Sequence, residues 1–304
     1  MIRVIVILCV LMTCILGKAQ HFPVYSQYML NGLAINPAYA GSRDVLSTSV
    51  MYRKQWMGFE GAPITATFSA HTPLKNKKIG LGLHVISEKI GVSSNLSFFG
   101  NYAYRMRVGD GHLSLGLKFG TEILKDDYSK ITTHQADVVF SNTESVMMPN
   151  FGFGAYYLTN DYFLGLSIPS LLSYRQVSAS KFEAYNDVKN YNILLTGGYL
   201  FWINSNFKLK PSTLIRYHAN SPIQFDLNLN SILLKDGLLW LGVSYRSQDA
   251  LVGLVEVQMG TKWRLGLSYD YSLGPISKYS SGTIEAMLRM ELITVVKTIN
   301  PRFF

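Results

Sequence analysis

The chain has 304 residues, a formal net charge of +9 and a mean hydropathy of +0.14, and 48% of its residues are hydrophobic. After residue 20 no window approaches a membrane-spanning helix, and an apolar chain without long apolar runs indicates alternation of apolar and polar residues. The cations form no stripe with interleaved aromatic residues, so we expect no nucleic-acid partner. Their mild excess favours anionic lipid headgroups or acidic proteins as partners instead.

The first 19 residues have the pattern of a secretory signal peptide. Arg3 precedes an apolar run over residues 4–16, and the segment closes on Gly17-Lys18-Ala19, with small residues three positions and one position before the cut. The run is shorter than the roughly 20 apolar residues that a transmembrane helix needs. We predict cleavage between Ala19 and Gln20, which removes both cysteines of the chain and leaves an exported protein without thiols.

Residues 20–44 show no sustained alternation of apolar and polar side chains. Pro37 and Gly41 mark turns within this stretch. Its aromatic and apolar residues would be exposed in a loose tail. We therefore expect an ordered N-terminal segment at the periplasmic mouth or in the lumen of a barrel.

From residue 45 onward the side chains alternate with a period of two, most clearly over residues 262–271. Trp263, Leu265 and Leu267 occupy odd positions there, and charged, small or polar residues occupy the even ones. A strand places successive side chains on opposite faces, so this pattern predicts strands with one dry and one wet face. The predicted strands cover residues 45–57, 62–72, 78–88, 92–107, 111–125, 150–158, 162–168, 189–202, 206–217, 222–232, 238–247, 250–258, 262–272 and 282–294.

Fourteen alternating strands without a long apolar run are typical of an antiparallel outer-membrane β-barrel, because only closure satisfies every backbone hydrogen bond in lipid. A soluble β-sandwich is the competing all-β fold. With both chain ends in the periplasm, the two longest connections, residues 126–149 and 169–188, both fall outside. Long outer loops and short periplasmic turns are usual in such barrels. We predict that residues 45–304 form the transmembrane barrel.

The alternation assigns apolar side chains such as Leu117 and Val243 to the lipid-facing wall, and charged side chains of both signs to the lumen. We interpret the charges as ion pairs between neighbouring strands rather than as a selective conduction path. Glycines in mid-strand, such as Gly80 and Gly154, favour close packing against an internal segment or strand curvature. The predicted inward charges are Arg105, Arg107, Lys118, Glu122, Lys208, Lys210, Arg216, Asp226, Arg246, Glu256, Lys262, Arg264, Asp270, Glu285, Arg289 and Glu291.

No motif for catalysis, cofactor binding or metal binding is present. The six histidines never approach one another at metal-ligand spacing. A barrel hydrolase would need a histidine beside a serine, for example His84 with Ser87 or His218 with Ser212. We expect no enzymatic activity, no cofactor and no metal, and we keep the hydrolase as a minor alternative.

Several motifs carry a resemblance to a known family. They are Tyr25-Ser26-Gln27-Tyr28-Met29, Asn36-Pro37-Ala38-Tyr39-Ala40-Gly41-Ser42, Tyr52-Arg53-x-Gln55-Trp56, Gly61-Ala62-Pro63, His71-Thr72-Pro73-Leu74 and the closing Pro301-Arg302-Phe303-Phe304. With the signal peptide, this set resembles the PorP/SprF family of Bacteroidetes outer-membrane proteins over essentially the whole mature chain. The N-terminal family motif comprises Tyr25, Ser26, Gln27, Tyr28, Asn36, Pro37, Tyr39 and Gly41.

The resemblance implies a non-enzymatic barrel of the type IX secretion system. Such a barrel helps to secrete or anchor a very large surface protein, including gliding adhesins, through the C-terminal sorting domain of that cargo. Its partners would be the cargo, other type IX secretion components and outer-membrane lipid.

We expect the two long outer loops to dock the sorting domain by strand addition or aromatic contacts. The aromatic residues expected to make these contacts are Phe140, Tyr174, Phe182 and Tyr185. The main alternative is a passive channel for small or hydrophobic solutes, since a barrel of this size can enclose a path.

Overall fold

The alternating segments form the strands of one closed sheet. The computed structural model describes residues 24–75, 77–127, 143–178, 181–219, 221–234 and 237–292, so the predicted signal peptide and the closing Pro301-Arg302-Phe303-Phe304 lie outside the described residues. The strands are β1 (Leu46–Lys54), β2 (Ile64–Pro73), β3 (Ile79–Ile90), β4 (Ser93–Val108), β5 (Gly111–Asp127), β6 (Thr143–Leu158), β7 (Tyr162–Ile168), β8 (Ser173–Ser178), β9 (Lys181–Tyr185), β10 (Ile193–Tyr199), β11 (Phe201–Asn204), β12 (Phe207–Tyr217), β13 (Gln224–Leu233), β14 (Leu239–Arg246), β15 (Ala250–Met259), β16 (Trp263–Ser272) and β17 (Thr283–Leu292).

Short 3-10 turns are the helical elements of the described chain. They cover Gly32–Ala34, Pro37–Tyr39, Val188–Asn190 and Pro275–Lys278. Among the described residues, none of the helical segments has the length and apolar character that a membrane-spanning helix requires.

The sheet closes because β1 pairs with both β2 and β17, and β10 pairs with both β7 and β12. Every pairing around the ring is antiparallel, and β10 with β11 makes one interrupted barrel strand. The described chain therefore forms a closed barrel of fourteen strands, which confirms the predicted fold class. The small hairpin of β8 and β9 is a separate two-stranded sheet within the connection from β7 to β10.

The interruption between β10 and β11 lies across from a proline. β10 pairs with β12 as far as Gly198 opposite Ser212, and β11 resumes the register with Phe201 opposite Leu209. Pro211 lies between these two pairs, and its ring nitrogen carries no hydrogen to donate to a neighbouring strand.

The structure places two strand starts and one loop differently from the sequence-based prediction. β10 begins at Ile193 rather than at residue 189, because Val188–Asn190 form a 3-10 turn. β6 begins at Thr143 rather than at residue 150, because Pro149 does not end the strand. Pro149 pairs with Thr121 of β5, and β7 joins β6 only at Phe153, so the proline occupies an open edge where it disturbs no ladder. The predicted loop 169–188 contains the β8–β9 hairpin.

The two faces of the barrel wall are sorted as the alternation predicts. Leu117 and Val243 are 58% and 62% exposed on the outer wall, whereas most of the predicted inward charges are buried. Lys118, Glu122 and Arg216 are half-buried. Arg107, near the end of β4, and Lys262, just before β16, are exposed.

Residues 24–44 lie inside the barrel and touch strands around its whole circumference. Tyr25 shares a hydrogen bond of 3.1 Å with Thr67 of β2, and the Ser167 hydroxyl of β7 donates to the Ile35 carbonyl at 2.6 Å. On the way to β1 the segment passes so close to the wall that a Cβ on Gly116 would overlap the backbone of Ala38. Some mid-strand glycines are thus contact points for the internal segment.

The substitution Gly116→Ala tests this packing. We expect it to lower the free energy of unfolding by about 1–3 kcal/mol, since the added methyl group forces backbone apart in a packed interior. Gly253→Ala is the matched control, because a Cβ at that outward position meets nothing within 4 Å. The measurement is urea unfolding in detergent micelles, and equal stability of the two variants would contradict the close packing.

Candidate functional site

The first polar cluster joins the N-terminal segment to the seam at which the barrel closes. The amides of Ser26 and Gln27 donate to the carboxylate of Glu285 at 2.9 and 2.8 Å. Arg53 donates to Glu285 at 2.9 Å and to Asp270 at 2.8 Å. The Ser26 hydroxyl donates to Asp270 at 2.6 Å. Three strands and the internal segment therefore share one hydrogen-bonded network.

This cluster lies near the end of the barrel where β1 finishes, which we call the outer end because the long connection from β7 to β10 is on that side. Arg246 of β14 adds a second guanidinium. It donates to the Ser26 hydroxyl at 3.2 Å and to the Tyr25 carbonyl at 3.3 Å, and it lies 3.5 Å from the Asp270 carboxylate. Buried charges of both signs thus compensate one another around Ser26.

A second cluster lies deeper in the lumen. Arg43 donates to Glu291 at 2.6 Å, and Arg289 donates to Glu256 at 2.9 Å. Both guanidinium groups also donate to the Leu30 carbonyl, at 3.2 and 2.7 Å. Arg289 of β17 and Arg43 of the segment itself therefore both satisfy the Leu30 carbonyl, which belongs to a residue outside the strands.

Asn36 organises the turn in the middle of the segment. Its side-chain oxygen accepts from the Ala38 amide at 2.9 Å, and its side-chain nitrogen donates to the Ala155 carbonyl of β6 at 3.0 Å. Near the inner end, Arg105 donates to the Gly41 carbonyl at 2.7 Å and to Asp44 at 2.9 Å. All eight residues of the N-terminal family motif are buried among such contacts: Tyr25, Ser26, Gln27, Tyr28, Asn36, Pro37, Tyr39 and Gly41.

The outer rim carries the residues that the sequence placed in a docking surface. Tyr174 begins the hairpin, and its hydroxyl donates to the Pro149 carbonyl. Partial burial, followed by the nearby charge of Glu122, raises the pKa of the Tyr174 hydroxyl, so the group stays protonated as a donor at neutral pH. Phe182 is half-buried, and Tyr185 is 39% exposed.

Tyr174, Phe182 and Tyr185 therefore share one hairpin, on which Tyr174 pairs with Ala184. Phe140 lies outside the described residues. The docking role of these aromatic residues stays a prediction.

The histidine and serine pairs considered for a hydrolase are not brought together. His84 is buried in the lumen wall, whereas Ser87 is exposed on the opposite face of β3. His218 follows the outer end of β12, six residues from Ser212, a separation of about 20 Å along a strand. Among the described residues, no group of three or more His, Cys, Asp and Glu side chains is arranged to hold a metal ion.

The sequence did not reveal which charges meet. Alternation places Asp270 and Glu285 in the lumen, but Arg53 was not among the predicted inward charges. The convergence of the three side chains around Ser26 depends on barrel closure and on the path of residues 24–44. The sequence also does not predict the outer part of β6, because Pro149 lies within the strand and a proline usually indicates a strand end.

Solved outer-membrane proteins are similar to this chain at low sequence identity. The CymD monoaromatic hydrocarbon channel is 9% identical with a TM-score of 0.51, and the match covers 90% of this chain and 94% of that one. Omp33 of Acinetobacter baumannii is 9% identical with a TM-score of 0.48, covering 82% of this chain and 100% of that one. A Pseudomonas aeruginosa FadL homologue is 9% identical with a TM-score of 0.47, covering 89% and 94%.

No curated protein matches the chain significantly. The family model described as "Type IX secretion system membrane protein PorP/SprF" matches residues 17–290. Together with the barrel fold, this match confirms the predicted integral location in the outer membrane.

The substitution Glu285→Gln tests the cluster around Ser26. It keeps the side-chain shape but removes the charge that Arg53 and two backbone amides share, and we expect the free energy of unfolding to fall by about 3–5 kcal/mol. Glu183→Gln is the control, since its ion pair with Arg175 is 58% and 71% exposed on the two side chains and surface pairs contribute about 0–1 kcal/mol. Urea titration in detergent measures both, and a control as unstable as Glu285→Gln would refute the assignment.

Proposed function

We propose that this chain, which belongs to the PorP/SprF family of type IX secretion system membrane proteins, holds a large secreted surface protein or adhesin at the cell surface. It would do so by binding the C-terminal sorting domain of that cargo. The family and the fold are those of a secretion-associated outer-membrane barrel. Beyond the family and the fold, we propose the kind of cargo, the way in which it binds and a role that needs neither catalysis nor a cofactor.

The filled lumen is the observation that carries this proposal. Residues 24–44 occupy the interior, and the ion pairs of Arg53 and Arg43 that hold them are 2% exposed on the arginine side chains. Opening a path would separate buried charges from their partners, which costs several kcal/mol for each pair. A barrel sealed in this way is suited to act as an anchor whose binding surface lies on the rim.

The hairpin at the outer rim is the surface we assign to the cargo. Its base is held firmly, because Asn150 accepts from the Leu171 and Leu172 amides at 3.2 and 3.1 Å and donates to the Leu172 carbonyl at 3.1 Å. Beyond this base, Val177 and Val188 are 55% and 70% exposed. Exposed apolar side chains on a rigidly based element are typical of a protein-binding surface.

Replacement of residues 173–185 by a short glycine-serine linker tests the proposal. We expect the cargo to appear in the culture medium instead of on the cells, while the barrel still assembles, because the hairpin is not part of the barrel sheet. The measurement compares cargo in the cell and medium fractions, with heat-modifiable migration of the barrel as the assembly control. Full retention of the cargo by cells carrying the assembled variant would contradict a docking role for the hairpin.

Affinity purification from gently solubilised outer membranes identifies the partner directly. We expect one very large secreted protein to accompany the tagged barrel through its C-terminal domain, together with type IX secretion components. The linker variant is the matched control, and the cargo should be absent from its eluate.

A passive channel for small or hydrophobic solutes is the alternative function. The two functions differ in conductance, because residues 24–44 lie in the lumen and bond to strands on different sides of it, such as β2 and β7. In planar bilayers we expect the purified protein to be nearly silent, and a variant lacking residues 24–40 to conduct if it assembles. Steady single-channel currents from the intact protein would favour the channel.

A further inference from the structure

Three neighbouring strands are longer than the rest of the barrel wall. β4, β5 and β6 have 16, 17 and 16 residues, whereas β7 has seven. β5 and β6 remain paired out to Asp127 opposite Thr143. β7 pairs with β6 only from Phe153 opposite Ile168 to the inner end. The outer part of β6 is therefore an edge strand, paired on one side by β5.

The direction of the backbone groups on this edge follows from two hydrogen bonds. The Phe151 carbonyl accepts from the Leu171 amide at 2.8 Å, and the Pro149 carbonyl accepts from the Tyr174 hydroxyl. Both carbonyls thus point away from β5. Because alternate residues of a strand point their backbone groups to the same side, Ser145 and Met147 present an amide and a carbonyl each to the open side. Within the described part of the chain, these four groups have no strand beside them on that side.

The position of the edge suits a partner that approaches from outside the cell. Met147 is 66% exposed and pairs with Ile123, two residues before the outward-facing Lys125 on β5. The edge thus lies at the outer boundary of the apolar belt. At its inner end, Pro149 has no amide to offer, which limits the edge to a short segment.

We propose that Ser145–Met147 is the site at which one extended strand of the cargo's sorting domain adds to the barrel wall. This inference rests on the proposed function and gives its mode of binding. A strand is the occupant because only extended backbone matches alternating amides and carbonyls along an edge. The edge is continuous with the assigned hairpin through the contact of Tyr174 with Pro149.

The substitution Met147→Pro tests the edge, because it removes one of the two amides that the site presents. The native Pro149, two residues along the same edge, shows that the strand accommodates proline there. Met147→Thr is the matched control, since it changes the same exposed side chain and keeps the amide. We expect Met147→Pro to weaken binding of the purified sorting domain at least tenfold and Met147→Thr to bind within about twofold of the unchanged protein.

Hydrogen exchange gives a readout that a general loss of structure would not mimic. Binding of the sorting domain should slow exchange at the amides of Ser145 and Met147 in the unchanged protein. Exchange across the rest of the barrel should be the same in Met147→Pro and in the unchanged protein without cargo.

Two outcomes would overturn the edge site. In the first, Met147→Pro binds the sorting domain as tightly as the unchanged protein does, whereas the hairpin replacement does not bind it. This result would keep the docking function and place it on the hairpin alone. A dimer of the unchanged protein that Met147→Pro converts to a monomer would mean that a second copy occupies the edge. Failure of the unchanged protein to bind the sorting domain would refute the proposed function itself.

Discussion

The structure depends on the pairing of charges that a lipid-facing barrel can place only in its lumen. Arg53, Asp270 and Glu285 are nearly inaccessible to solvent, and each lies within 2.9 Å of an oppositely charged partner. A charge buried without a partner would destabilise the barrel by several kcal/mol. The strands alone do not complete this pairing, because Ser26 and Gln27 of the N-terminal segment supply further donors. The segment is thus a structural part of the barrel interior.

This network also links the two ends of the chain. Arg53 of β1 faces Glu285 of β17 across the closing seam, so one contact is both a cross-strand pair and a contact of the internal segment. Residues so distant in sequence meet only when the first and last strands pair. Closure of the barrel and seating of residues 24–44 are therefore coupled, since each provides partners for the polar groups of the other.

The rim differs from the interior in the forces that act on it. In the lumen, the ion pairs of Arg43 and Arg53 are buried, whereas the ion pair between Arg175 and Glu183 on the outer hairpin is exposed. Strand β6 pairs with β7 only from Phe153 inward, so its outer part, near the hairpin, has no pairing with β7. A rigid barrel that carries incompletely paired strands at its outer end separates stability from recognition, as is usual for proteins whose binding elements extend from a scaffold.

The sequence by itself determined the strands, their number and the side of the wall on which each side chain lies, because period-two alternation is a local property. It also indicated either close packing or strand curvature at mid-strand glycines such as Gly80, and only the structure shows that Ala40 packs against Gly80. Local rules fail at Pro149: a proline predicts the end of a loop there, because an open edge cannot be recognised without knowing the neighbouring strand.

The tertiary structure alone decided which buried charges meet, where residues 24–44 run and which strand remains unpaired at the rim. Those features depend on contacts between residues far apart in the chain. Closure of the sheet sets these contacts, and no local pattern encodes them.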